Sequence, residues 1–257
     1  MGIFVIHTVS YVSVLFLIKI FRKNTTFFTS IEFWIKIIAI LFLLSLDRAL
    51  SFYSLASDLP FQASIYVHRN VKNVFWIVSI LIPCYIMYRV WDKKTDNNFY
   101  GFSFKNLSIK TILSLLSIVV FLTLIASFSD DFQHQYPSYK EKYGLYFIEN
   151  NILEKWQTVA IFEFCYLFDF ISVELIFRGF LILALVKFLN KDTILPMVTL
   201  YVVLHFGKPL GETISSAFGG YILGVVAYYT RSIWLGIILH ISLAFFMDFF
   251  AFLQHLI

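Results

Sequence analysis

Residues 107–128 read LSIKTILSLLSIVVFLTLIASF, and after Lys110 no charge interrupts the run. A helix rises about 1.5 Å per residue, so about 20 apolar residues cross the roughly 30 Å hydrocarbon core of a bilayer. The run is read as a transmembrane helix. Working outward, seven more such runs stand between polar or charged clusters, at 3–20, 31–50, 72–91, 157–188, 193–206, 211–230 and 233–254. Of the 257 residues, 60% are hydrophobic, 20% aromatic and 14% charged. Soluble domains carry roughly 25% charge. The expected fold is an all-α, polytopic transmembrane helical bundle of about eight helices. No repeat, low-complexity tract or linker marks off a soluble domain, so residues 1–257 are read as a single integral membrane domain in contact with the lipid bilayer.

The N-terminal run has no basic stretch ahead of it and no small-residue cleavage site before Arg22 and Lys23, so it is read as a retained helix and not a signal peptide. Met1 and Gly2 do not open a myristoylation motif, because Thr8 comes too late. Cys84 and Cys165 lie in apolar runs without metal-type spacing and are read as packing residues. A net charge of +4 suits loops facing an anionic leaflet and gives no reason to expect nucleic acid.

One set of alternate loops holds Lys19, Arg22, Lys23, Arg89, Lys93, Lys94, Lys105, Lys110, Lys187, Lys191 and Arg231. The other holds Arg48, Arg69, Lys72, Lys140, Lys142, Lys155 and Lys208, so the bias is 11 to 7. The positive-inside rule puts the first set in the cytoplasm and both termini outside. The fifth run is too long for a perpendicular span and calls for tilt or an extension into water. The sixth is short, and Gly207 and Pro209 break it, which suits a segment that dips or re-enters.

Charges at membrane depth cost at least roughly 2.5 kcal/mol each, so their default reading is functional. Here they include Lys36, Glu163, Asp169, Glu174, Arg178, His205, His240 and Asp248. Lys36, near a helix end, is read as snorkelling to water, and Asp248 as structural. Counted at 1.5 Å per residue from the cytoplasmic end of each span, Glu174 lies about 20 Å deep, His205 about 18 Å and His240 about 11 Å. One carboxylate and two imidazoles in one layer suit water activation and oxyanion stabilisation. The plainer reading is an i, i+4 Glu174–Arg178 pair that pins the fold, with two core histidines bonded to carbonyls.

In chain order, VELIFRG (173–179), YVVLH (201–205) and HISLA (240–244) resemble the three motifs EExxxR, FxxxH and HxxxN of the CPBP intramembrane proteases. That family includes the type II CAAX prenyl proteases and bacterial proteins linked to bacteriocin maturation or immunity. The resemblance covers about 157–255, a protease-like core, with HFGKPLGE and FGGYILGVVAYYTRSIWLGIILH adding to it. It implies a general base formed by Glu174 and His205, His240 polarising the scissile carbonyl, and Arg178 orienting the site. The substrate would be a membrane-associated or prenylated peptide or protein, and the location the inner membrane of a bacterium. Glu174, His205 and His240 also form a His₂Glu set that zinc accepts, but with no HExxH helix a cofactor-free site is favoured.

Three positions depart from the family pattern: Val173 replaces the first glutamate, Tyr201 the aromatic Phe and Ala244 the asparagine. Asp169, one turn before Val173 on the same face, and Glu212, seven residues after His205, are candidate compensating carboxylates. Three functions compete. The first is an intramembrane endopeptidase. The second is an inactive relative acting as a binding, immunity or scaffold protein. The third is a transporter, disfavoured by the lack of repeated halves. Four retained polar groups outweigh two lost ones, because a dead site would gain stability by replacing them with leucine.

Overall fold

The structure is a computed structural model that describes residues 2–22, 26–94, 98–105 and 107–256; Met1 and Lys23 lie outside the described residues. Helices account for its elements, and no strand occurs among the described residues. They run in order α1 (Gly2–Arg22), α2 (Ile31–Ala49), α3 (Phe61–Met87), α4 (Ile109–Ala126), α5 (Asp130–Gln135) and α6 (Glu141–Glu149). Then come α7 (Lys155–Glu174), α8 (Val186–Leu189), α9 (Ile194–Leu204), α10 (Leu210–Thr230) and α11 (Trp234–Leu256). α3 runs on into a π-wound turn, Tyr88–Asp92, and α7 into a longer π-wound stretch, Leu175–Ala184.

Among the described residues, five helices are long and apolar enough to cross a membrane: Gly2–Arg22, Phe61–Asp92, Ile109–Ala126, Leu210–Thr230 and Trp234–His255. The other three expected spans also coil as helix but differ in character. α2 carries Glu32, Lys36, Asp47 and Arg48, and α7 carries Glu163, Asp169 and Glu174. α9 has only 11 residues.

The chain divides into two compact units. The first comprises Met1–Ala49, Ser79–Ser108 and Val173–Ile237, and the second Leu50–Val78, Ile109–Ser172 and Ile238–Ile257. In the first, α1 packs on α2 and α9, and α10 on α9 and the π-wound stretch. Tyr11, Leu15, Phe33, Ile37, Ile40 and Leu41 fill its core. α10 turns Ser216, Gly220, Gly224 and Ala227 inward. Without lipid-excluding side chains at those positions, neighbouring helices come close, as small residues allow in membranes.

The snorkelling assigned to Lys36 is corrected by the structure. Its side chain is 0% exposed, and Nζ lies 2.6 Å from Asp92 Oδ2 and 2.7 Å from Glu32 Oε1. Lys187 closes the network at 2.8 Å from Asp92 Oδ1 and 2.6 Å from Glu32 Oε1, and the Tyr100 hydroxyl donates to Asp92 Oδ2 at 2.6 Å. Counter-charges on its own helix and at the end of α3 stabilise the ammonium better than a reach to water would. Removing one member of a buried pair costs about 3–5 kcal/mol, because the other charge is left uncompensated. Asp92→Ala is therefore expected to lower the thermal midpoint in detergent sharply, and adding Lys36→Met to recover part of the loss.

In the second unit, Tyr66, Tyr139 and Phe162 form an aromatic core with Tyr143, Phe147, Val159 and Tyr166 around it. Arg69 lies 4.8 Å over the Phe162 ring, and its Nη1 donates to the Ser138 carbonyl at 2.9 Å. The Ser138 N–H donates to Asp248 Oδ1 at 2.8 Å. Asp248 thus ties the 136–140 stretch to α11, the structural part assigned to it from sequence.

Candidate active site

The polar constellation starts where the winding changes. α7 ends at Glu174, and the next ten residues are π-wound, hydrogen-bonded i to i+5. Such winding is uncommon and recurs at functional sites. Apart from Leu183, every residue of the stretch is buried. Glu174 is 0% exposed and Arg178 1%. Arg178 Nη1 donates to Glu174 Oε1 at 2.9 Å. The two charges that interrupt SVELIFRGF are therefore paired with each other.

Arg178 makes a second contact that brings in the next motif. Its guanidinium carbon lies 4.8 Å from the centroid of the Tyr201 ring, a cation–π arrangement. Tyr201 is held between Phe177, edge-on at 5.0 Å, and Gly220 of α10, where a Cβ would come within 3.0 Å of the ring. The Phe-to-Tyr departure in the second motif keeps the ring that Arg178 rests on.

His205 follows one turn later, its ring 4.5 Å from that of Tyr201. α9 stops just before it: Gly207 takes φ +94°, a left-handed value that suits glycine, and Pro209 precedes α10. Three bonds fix the turn. Arg48 Nη2 donates to the Leu204 carbonyl at 3.0 Å, Thr213 Oγ1 to the His205 carbonyl at 2.9 Å, and His205 Nδ1 lies 2.7 Å from the Tyr201 carbonyl. A carbonyl oxygen only accepts, so Nδ1 carries the ring proton in this bond. In the neutral imidazole Nε2 then holds the lone pair, the tautomer a general base requires.

The structure thus brings Glu174, Arg178, Tyr201 and His205 together within the first unit. Val173 beside Glu174 is only half-buried. Of the remaining candidates, Glu212 shares this unit, and Asp169 and His240 belong to the second. Glu212 pairs with Lys208 one turn away at 2.5 Å. Asp169, half-buried in α7, belongs to the second unit. His240 is also in the second unit, buried in α11 and stacked on Phe170 at 5.5 Å. Ala244 is buried and offers no side-chain donor. Among the described residues, no three His, Cys, Asp or Glu side chains are grouped so as to hold a metal ion.

The sequence reading missed one member. A Cβ on Gly236, in the first turn of α11, would lie 1.9 Å from Glu174 Oε2 and 2.6 Å from its Cδ, so the carboxylate occupies the space a side chain would take. A glycine inside the apolar run WLGIILH was the available signal, since an isolated glycine often marks close approach.

No curated protein and no solved structure matches the chain. Residues 155–246 match the family model described as Type II CAAX prenyl endopeptidase Rce1-like. The matched stretch begins at the first residue of α7 and includes Glu174, Arg178, Tyr201, His205, Gly236 and His240. Over these residues the chain is similar to that family of prenyl endopeptidases, in line with the order of its three motifs.

Proposed function

We propose that this protein is an intramembrane endopeptidase that hydrolyses a peptide bond of a membrane-associated or prenylated substrate with a water activated by Glu174 and His205. The observation that carries the reading is the 2.7 Å contact of His205 Nδ1 with the Tyr201 carbonyl, which leaves Nε2 to take a proton, in the same unit as the buried Glu174–Arg178 pair. The family match over 155–246 supports the class of reaction. His205 Nε2, assisted by the Glu174 carboxylate, takes a proton from water as the oxygen attacks the scissile carbonyl carbon. The C=O π pair moves onto oxygen as an oxyanion. His240, at the third-motif position, is assigned the donor to that oxygen. Collapse then breaks the C–N bond, and the proton held by the base passes to the leaving amine. Arg178 keeps Glu174 aimed.

The test is cleavage of a prenylated, C-terminally extended peptide by the purified protein in liposomes, with products read by mass spectrometry. Since the proposed steps use only side chains, EDTA or 1,10-phenanthroline is expected to leave turnover unchanged; a loss restored by added zinc would overturn the metal-free route. Two observations favour a second reading, a binding or immunity protein without turnover: Val173 in place of the first motif glutamate, and buried Ala244 in place of the motif asparagine. Tight binding of the peptide without any product decides for that reading. We place the protein in the plasma (inner) membrane of a bacterium with the more basic loops in the cytoplasm. Labelling at the 128–151 loop from outside intact cells checks that orientation.

A further inference from the structure

We propose that Gly236 is a positioning residue for the Glu174 carboxylate, held in register by the 100–103 segment. The inference rests on the role proposed for Glu174. It adds a residue outside the three motifs and a segment outside the matched stretch.

The carboxylate is fixed from two sides. Arg178 Nη1 holds Oε1 at 2.9 Å, and the backbone of Gly236 lies against Oε2 so closely that a Cβ there would meet it at 1.9 Å. Real Cβ contacts essentially never fall under 3.0 Å. Either the carboxylate or the first turn of α11 must therefore give way to any side chain at position 236.

That turn is not free to yield. The Ile233 N–H donates to the Gly101 carbonyl at 3.0 Å, and Ser232 Oγ to the Ser103 carbonyl at 2.6 Å. Phe104 stacks on Trp234 at 4.2 Å between centroids. The same segment also presses on the π-wound stretch. The Tyr100 carbonyl lies 2.9 Å from where a Gly179 Cβ would be, the Tyr100 ring meets Phe180 edge-on at 5.6 Å, and its hydroxyl is anchored on Asp92. Gly101 passes through at φ +88°, with Leu183 Cδ1 2.6 Å from where a Cβ would be. Residues 100–103 thus grip both the residue after Arg178 and the residues just before Gly236. The spacing of the two elements that trap the carboxylate is set by a loop from the N-terminal half.

The experiment compares Gly236→Ala, Glu174→Asp and the double variant in the full-length protein. An aspartate draws the carboxylate back by roughly 1.5 Å, one C–C bond, which makes room for the added methyl. Gly236→Ala is expected to lower kcat at least tenfold with KM unchanged and to lower the thermal midpoint by several degrees. The double variant is expected to turn over faster than either single variant and to melt above Gly236→Ala. Additive losses in the double variant, or full kcat in Gly236→Ala, overturn the proposal. Thermal coupling is measured whether or not a peptide is cleaved. If the parent protein hydrolyses nothing, the protease reading fails while the melting of the double variant still decides the Gly236–Glu174 contact. Ser232→Ala tests the brace without a clash: a smaller fall in kcat at constant KM supports it, and an unchanged kcat overturns it.

Discussion

Glu174→Gln is expected to abolish peptide cleavage, by at least about 10²-fold, the usual size of a general-base contribution. Glutamine keeps the length and volume that fit against Gly236, and its carbonyl oxygen still accepts from Arg178 Nη1. The variant therefore isolates the charge. The comparison that matters is Asp169→Asn, because Asp169 is the other carboxylate on α7 placed to replace the glutamate missing at Val173. With about 100° per residue in α7, Asp169 points about 40° from Val173 but sits a full turn of about 5 to 6 Å away, on a shorter side chain. Glu174 is fully buried and already fixed by a guanidinium, so Asp169→Asn is expected to retain turnover. Full activity in Glu174→Gln with loss in Asp169→Asn reverses the assignment.

Arg178→Leu is expected to cost stability before chemistry. The guanidinium is 1% exposed, bonded to a carboxylate that is 0% exposed. Deleting one partner of a buried pair costs about 3–5 kcal/mol, chiefly through the charge left behind. At about 2–4 °C per kcal/mol for a chain of this size, the melting temperature should fall by at least roughly 6 °C. Adding Glu174→Gln to Arg178→Leu should restore part of it. Arg178→Lys should recover charge without the planar group that lies on Tyr201, and melt between the two. An Arg178→Leu protein with parental melting and no turnover would mean that the arginine serves chemistry and not folding.

Much of this was legible in the residues because lipid imposes one strong rule on the sequence. A helix that must satisfy its own backbone in hydrocarbon shows as an apolar run, and the expected 211–230 and 233–254 meet the observed Leu210–Thr230 and Trp234–Leu256 within two residues. The break at Gly207 and Pro209 was equally plain. The start of α3 was not: helix begins at Phe61, well before the expected 72, where Arg69 and Lys72 had been read as loop charges. Arg69 is accommodated by Ser138 and the Phe162 ring, partners more than sixty residues away that no local pattern announces. Lys36 was misread for the same reason, since Asp92 lies 56 residues on. The i, i+4 relation of Glu174 and Arg178 is written in their spacing. The meeting of Glu174 with Gly236 depends on how two distant helices pack.

The change of winding at Glu174 makes that residue the joint between two pitches of one continuous rod. On its N-terminal side, direction accrues at the α rate, and that rate alone decides which of Asp169, Val173 and Glu174 point the same way. On its C-terminal side the chain spends an extra residue per turn, so the bearing of Arg178 from Glu174 is set by the looser winding. If one turn of Leu175–Ala184 tightened to α, Arg178 would swing around the axis while Glu174 kept its heading. The pitch of those ten residues therefore sets the angle between the two charges independently of either side chain.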